Sequence, residues 1–195
     1  DRNPLKIKSV RDTSLRGYGI EFRPVKPFDL PSLRRWRNSP EISKQMTNSY
    51  YISPHQQRIW YENIRARIDQ AHWVVWCKGV RTGYINIKGE GPTEIQEQLT
   101  GGMYTGNSRV RHGMLGYAMQ LMLLDIVFEH LSVSEFRGPV RKDNFKVRQF
   151  LKKLGYREEG CRGDFVWTTI CLSDYETAKK KFLRYFTDTE CELLE

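Results

Sequence analysis

The longest apolar run of the chain lies between residues 107 and 131, NSRVRHGMLGYAMQLMLLDIVFEHL. From Met114 and Leu115 through Met119 and Leu124 to Phe128, apolar side chains fall at almost every position and leave almost no polar face. A helix apolar all round must be buried, so the pattern predicts a helix that crosses the middle of a domain. Before it, residues 18–25 (YGIEFRPV) alternate as a strand, closed by Pro24 and Pro27. Asp29 is placed to cap a helix with Pro31 in its first turn, running through Leu33 and Trp36 to Arg37 and broken at Ser39-Pro40. Ser53-Pro54 opens a second helix, in which Ile59 or Trp60, Ile64 and Ile68 recur at helical spacing. The period then drops to two. Residues 72–77 (HWVVWC) and 82–87 (TGYINI) flank Lys78-Gly79 as a hairpin, and residues 99–105 read as a third strand. Gly101-Gly102 within that strand signals a bulge or a close backbone approach.

Beyond the apolar helix the pattern gives a short strand over 135–140 and a helix capped by Asp143 or Asn144 and stopped by Gly155. A strand over 165–172 (FVWTTICL) and a last helix, capped by Ser173 and reaching about Tyr185, complete the reading. Strands and helices so interleaved define a single α/β (α+β) domain, with a mixed, mostly antiparallel sheet and helices on both faces. Residues 1–16 read as a basic N-terminal extension that packs late or not at all, 17–172 as the domain, and 173–195 as a helix with an acidic tail.

Composition narrows the partners. With 195 residues and 39% hydrophobic positions the chain is long and apolar enough for its own core. The formal net charge is +9, and the last ten residues hold Asp188, Glu190, Glu192 and Glu195 with no Lys or Arg. Removing those four negative charges from +9 leaves +13 over residues 1–185, a body that attracts anions. The four cysteines lack metal-site spacing and read as reduced thiols of a cytoplasmic protein; no metal site is expected. No apolar run reaches membrane-spanning length and no secretory signal is visible.

One anion site follows from the apolar helix itself. Its first amides lack partners and carry the positive end of the helix dipole, with Arg109, Arg111 and His112 beside them and Gly113 and Gly116 allowing close approach. A diphosphate fits such a turn; so does a core helix with an ordinary basic entry loop.

The order of elements, with an arginine-rich glycine turn entering a buried helix, resembles the GNAT acyl-CoA N-acyltransferases. Their pyrophosphate turn reads Arg/Gln-x-x-Gly-x-Gly/Ala, and Arg111-His112-Gly113-Met114-Leu115-Gly116 matches its ends with Met114 at the middle glycine. The stretch from Asn144 to Leu154-Gly155-Tyr156 resembles the family's Asn-x-x-(Ser/Ala) to Leu-Gly-Phe ending. The resemblance covers about residues 20–172. Within it, Trp36-Arg37-Asn38-Ser39-Pro40-Glu41 and Ile52-Ser53-Pro54-His55 look like a narrower branch that acetylates UDP-4-amino-4,6-dideoxy sugars. A related branch acetylates the N-termini of ribosomal proteins.

The resemblance implies acetyl-CoA as co-substrate and a set of roles. Met103, Tyr104 and Thr105 would offer strand amides to the pantetheine arm and thioester, and Arg109, Arg111, His112, Gly113, Met114, Leu115 and Gly116 would hold the pyrophosphate. Asn144 would bond the cofactor, cap its own helix, or do both, with Phe150 or Lys146 lining the adenine or pantetheine side. The tyrosine that many relatives carry seven residues after the asparagine is Leu151 here. Tyr104 or Tyr84 then supplies the acid, or the thiolate leaves unassisted. Glu21, His55, His72, Tyr104 and a water chain are the candidate bases. The acceptor would meet Trp36, Arg37, Asn38, Tyr50, His55 and Trp60, although Trp36 and Trp60 equally read as core anchors.

Three functions compete on these grounds. The first is acetylation of a small amino sugar, nucleotide-linked; the second is protein or peptide N-terminal acetylation. The third is a nucleic-acid-binding module, against which stand the dispersed Lys and Arg and the lack of an RNA-binding aromatic motif. A membrane partner is not expected, and a homodimer is left open.

Overall fold

The computed structural model describes residues 6–89, 91, 98–107, 110, 114–188 and 191–194. The predicted hairpin forms its centre. Strands β3 (Gln70–Cys77) and β4 (Val80–Gly89) turn on Lys78 and Gly79, whose φ angles of 50° and 74° are the left-handed pair that a two-residue hairpin needs. β5 (Gln98–Thr105) pairs antiparallel with β4 from Gly83↔Thr105 to Gly89↔Leu99, and β2 (Ile20–Pro24) flanks β3. β6 (Glu135–Arg141) joins β5 in parallel, and β8 (Phe165–Cys171) pairs antiparallel with β6. Three further strands are β1 (Ser14–Gly17), β7 (Arg157–Arg162) and β9 (Glu192–Leu194). Among the described residues the sheet runs β7-β8-β6-β5-β4-β3-β2-β1-β9, mixed and mostly antiparallel.

Helices cover both faces. On one lie α2 (Leu30–Asn38), α3 (Pro40–Ser43) and α4 (Pro54–Ala66), whose Leu33, Trp36, Ile42, Tyr61 and Ile64 pack on Val74 and Tyr84. On the other lie α1 (Ile7–Arg11), α5 (Leu115–Asp125), α6 (Phe145–Lys153) and α7 (Leu172–Phe182). The apolar run behaves as its pattern requires: Leu115, Ala118 to Asp125 and Ile126 to Phe128 are buried, the last stretch as a π-helical turn over Ile126–His130. No helix among the described residues is long and apolar enough to cross a membrane.

Several local expectations are corrected. Ile7, Val10 and Leu15 are fully buried, so residues 7–17 are woven into the core and are not a loosely packed extension. Asp29 stands at the N-cap of α2 but its side chain makes no cap bond there; buried at 2%, it accepts from the Lys26 amide (2.9 Å), closing the turn Pro27–Asp29, and from Arg81 Nε (2.7 Å). The inward face of α4 is Gln57, Tyr61 and Ile64, while Ile59 and Ile68 face solvent. Ser173 lies inside α7, whose cap is Cys171. Ser53 does cap α4, with the reciprocal pair Gln56 N to Ser53 Oγ (3.2 Å) and Ser53 N to Gln56 Oε1 (2.8 Å). Asn144 caps α6 by accepting from Val147 N at 3.3 Å, and Gly155 ends that helix at φ 93°.

Candidate active site

β5 and β6 part company midway. They pair only at Gln98, Leu99 and Thr100, while β6 continues to Arg141 on β8 and β5 continues to Thr105 on β4. Backbone groups alternate sides along a strand, and the Gly106 amide bonds Thr82 O on β4 at 2.8 Å. By that alternation the amide of Tyr104 points to β4, and the amides of Met103 and Thr105 point into the gap between the diverging strands. Free, fixed N–H donors on a strand edge suit an oxyanion or a carbonyl. They arise by splaying and not by the expected bulge, since the β4–β5 register is unbroken. Gly101 is a close approach instead: a Cβ there would collide with Asn86 O and lie 2.7 Å from the Phe136 ring. A Cβ on Gly102 would meet nothing within 4 Å, so this residue borders open space.

The face carrying Gly102 and Tyr104 turns towards α2 and α4. Tyr104 stacks on its cross-strand neighbour Tyr84, ring centroids 5.3 Å apart. Tyr84 Oη lies 2.6 Å from His72 Nδ1 and 3.1 Å from Asn86 Nδ2, and His72 Nε2 lies 3.0 Å from Gln70 Oε1. Trp60 meets the His72 ring edge-on at 5.8 Å. Burial pushes His72 down to about 3, with Lys88 adding to the effect, so the ring is neutral. Burial raises both phenols, Tyr104 and Tyr84, which therefore keep their protons.

Arg37 reaches this cluster from the end of α2. Its Nη2 donates to Asn48 O (2.6 Å) and Asn48 Oδ1 (2.8 Å). Its Nη1 is buried with no partner among the described residues. Burial lowers the guanidinium, and the nearby phenols of Tyr104, Tyr50 and Tyr84 oppose that, leaving it a cation. A buried, unpaired guanidinium nitrogen is costly and marks a place for an anion.

The other predicted residues sort by what they touch. Trp36 is 8% exposed, and its indole fills the space a side chain at Gly106 would need, so it is a core anchor. Both polar ends of Asn38 are spent on Ile52, donating to its carbonyl (2.9 Å) and accepting from its amide (2.8 Å). Asn38 thereby holds the loop before α4. His55 sits exposed on the first turn of α4, and Glu21 is paired with Arg16 and Arg23. Leu151 is 7% exposed, inside the core. Met114 and Leu115 open α5, and a Cβ on Gly116 would lie 3.4 Å from the Phe150 ring. Arg109, Arg111, His112 and Gly113 lie outside the described residues. Two participants carried little sequence signal: Asn48, which holds Arg37, and Asn86, visible only as a polar residue at an inward strand position. No group of His, Cys, Asp and Glu among the described residues could hold a metal ion.

A splayed mixed sheet with a buried helix following the parting strand defines the acyltransferase class of α/β domain. The chain belongs to the acetyltransferase (GNAT) domain family, whose profile matches residues 20–157; it is an acetyl-CoA-dependent acetyltransferase of that type. Among solved structures it is similar to Mycobacterium smegmatis RimJ in complex with CoA-disulfide, at 21% identity over 90% of this chain and 95% of that one, TM-score 0.72. It is similar also to apo FdhC, a nucleotide-linked sugar GNAT, at 18% identity over 89% and 98% of the two chains, TM-score 0.72. The aminoglycoside acetyltransferase AAC(6')-Ib in complex with coenzyme A matches at 15% identity over 85% and 98%, TM-score 0.67. At these identities the likeness is one of fold. A comparison with curated protein sequences found no match.

Proposed function

We propose that the protein transfers an acetyl group from acetyl-CoA to the amine of a small amino sugar linked to a nucleotide. The observation that carries this reading is the buried Nη1 of Arg37, without a partner among the described residues, beside Tyr84 and Tyr104. A diphosphate-linked acceptor brings an anion to it, whereas the N-terminal amine of a peptide brings none of necessity. Stacked Tyr84 and Tyr104, with Trp60 nearby, supply the apolar wall that a sugar or base ring prefers.

In this reading the amides of Met103 and Thr105 hold the thioester carbonyl and take up charge as the tetrahedral oxyanion forms. The start of α5, from Met114 to Gly116, receives the diphosphate of CoA, with Arg109, Arg111, His112 and Gly113 preceding it in sequence. Asn144 caps α6 through its side-chain oxygen, which leaves its amide hydrogens to donate to that cofactor. As the C–N bond forms and the C–S bond breaks, Tyr104 gives its proton to the leaving thiolate and the proton lost by the attacking amine restores the phenol; the Tyr104 hydroxyl has no partner among the described residues. Splitting kinetic constants between substrates tests the acceptor assignment. Arg37→Ala is expected to raise the acceptor KM about tenfold, the loss of one charge-assisted hydrogen bond, with the acetyl-CoA KM nearly unchanged. An effect on acetyl-CoA instead would contradict the placement of Arg37.

A further inference from the structure

The hydrogen bonds around Tyr84 have a fixed direction. Gln70 Oε1 can only accept, so His72 Nε2, 3.0 Å from it, carries the ring proton. In a neutral imidazole Nδ1 then holds a lone pair, and Tyr84 Oη at 2.6 Å must donate to it. Asn86 Nδ2, 3.1 Å from the same oxygen, can only donate. Tyr84 therefore has its single proton committed to His72 and one lone pair committed to Asn86. One lone pair remains. His72, Tyr84 and Asn86 are 5%, 9% and 8% exposed, too buried for water to exchange freely with these bonds. The cluster nevertheless adjoins open space, because Asn86 is the register partner of Gly102, where an added Cβ would meet no atom.

We infer that Tyr84 is a specificity-determining hydrogen-bond acceptor that receives an N–H of the amine to be acetylated, with His72 and Asn86 as the residues that position it. Tyr84 Oη presents only a lone pair, so it welcomes an amine or hydroxyl hydrogen and repels a carbonyl oxygen brought to the same place. Fixing one N–H there sets the direction of the amine's own lone pair. The commitment of its proton also keeps Tyr84 from serving as the thiolate's acid, a task left to Tyr104. The charged groups near His72 are Lys88, which disfavours its protonation, and Lys26, Arg11, Arg65 and Asp12 around the small cavity it borders. Cations outnumber acids there, which keeps the ring neutral.

The inference rests on this face being the acceptor site, and it does not require that the acceptor be a sugar. Its first test needs no acceptor. In protein labelled with 15N-histidine, with the His72 signals identified by their loss in His72→Asn, Nε2 is expected to carry the proton and Nδ1 none, from roughly pH 5 to 8. A proton on Nδ1 overturns the assignment. The second test uses a UDP-linked amino sugar or a ribosomal-protein N-terminal peptide, whichever the parent protein acetylates. Tyr84→Phe is expected to lower kcat/KM for the acceptor about tenfold, leaving the acetyl-CoA KM within about twofold. His72→Leu is expected to fall equally far, and His72→Asn, whose amide oxygen can take the place of Nδ1, to recover most of the loss. Thermal melts establish that each variant is folded. A Tyr84→Phe protein equal to the parent, or a His72→Asn protein as impaired as His72→Leu, contradicts the inference. Failure of the sugar reading shows separately, as preference for the peptide.

Discussion

At the residue scale, single atoms decide what the site accepts, and the sequence exposes some of them better than others. Arg37 and Trp36 are neighbours on a helix, pointing about 100° apart, so one faces the pocket and the other the core. The structure sends Trp36 inward and leaves Arg37 with a nitrogen that has no partner among the described residues. Asn38 looked equally available in sequence, and only the fold shows that Ile52 uses both its polar ends. Gly116 offers a clean test of the proposed diphosphate position. Its Cβ would sit at ordinary contact distance from Phe150, so Gly116→Asp is expected to fold while placing a carboxylate where the anion binds. The acetyl-CoA dissociation constant should rise at least tenfold, about 1.4 kcal/mol, by calorimetry. His72 makes a second test, of stability. The unfolded chain binds a proton with an ordinary histidine pKa near 6.5, the folded one only near 3. Stability is therefore expected to fall as pH drops from 6.5 towards 3, and His72→Asn should flatten that part of a urea-midpoint profile.

At the element scale the hairpin, the α4 cap and the buried helix were legible because each has a local cause: a left-handed turn pair, a capping box, a lack of any polar face. β1, β7 and β9 were not. β7 is exposed along its whole length and so shows no alternation, and β1 and β9, of four and three residues, have too few positions to set a period. The glycine pair in β5 was legible as special, yet its meaning was not, because a bulge and a close approach call for the same residue. The geometry decides for the approach. Gly101→Ala is expected to destabilise the protein by roughly 1–3 kcal/mol through collision with Asn86 O and the Phe136 ring. Gly102→Ala, with nothing near its Cβ, should leave the melting temperature unchanged. Ser53→Ala should cost about 1 kcal/mol through loss of the α4 cap, read as a shifted denaturant midpoint.

At the scale of the whole molecule, a buried ionic cluster ties the two ends of the chain to the central helix. Asp125 is fully buried and accepts from Tyr18 and Tyr175; Lys179 reaches both Asp125 (3.2 Å) and Glu129 (2.6 Å). Burial pushes Asp125 up to about 6, so the folded state holds that proton more tightly than the unfolded chain does. This contribution to stability is present below about pH 4 and is lost as pH rises to 6, opposite in sign to that of His72. Asp125→Asn should remove it, whatever the variant's absolute stability. None of this concerns the proposed reaction, which we assign to the gap between β5 and β6 and to the face beneath α2 and α4. The most direct measurement is CoA release from acetyl-CoA with two acceptors in parallel, a UDP-linked 4-amino-4,6-dideoxy sugar and a ribosomal-protein N-terminal peptide. The account predicts rapid release and a singly acetylated product with the sugar, and release orders of magnitude slower with the peptide. Faster release with the peptide, or none with the sugar, would contradict it.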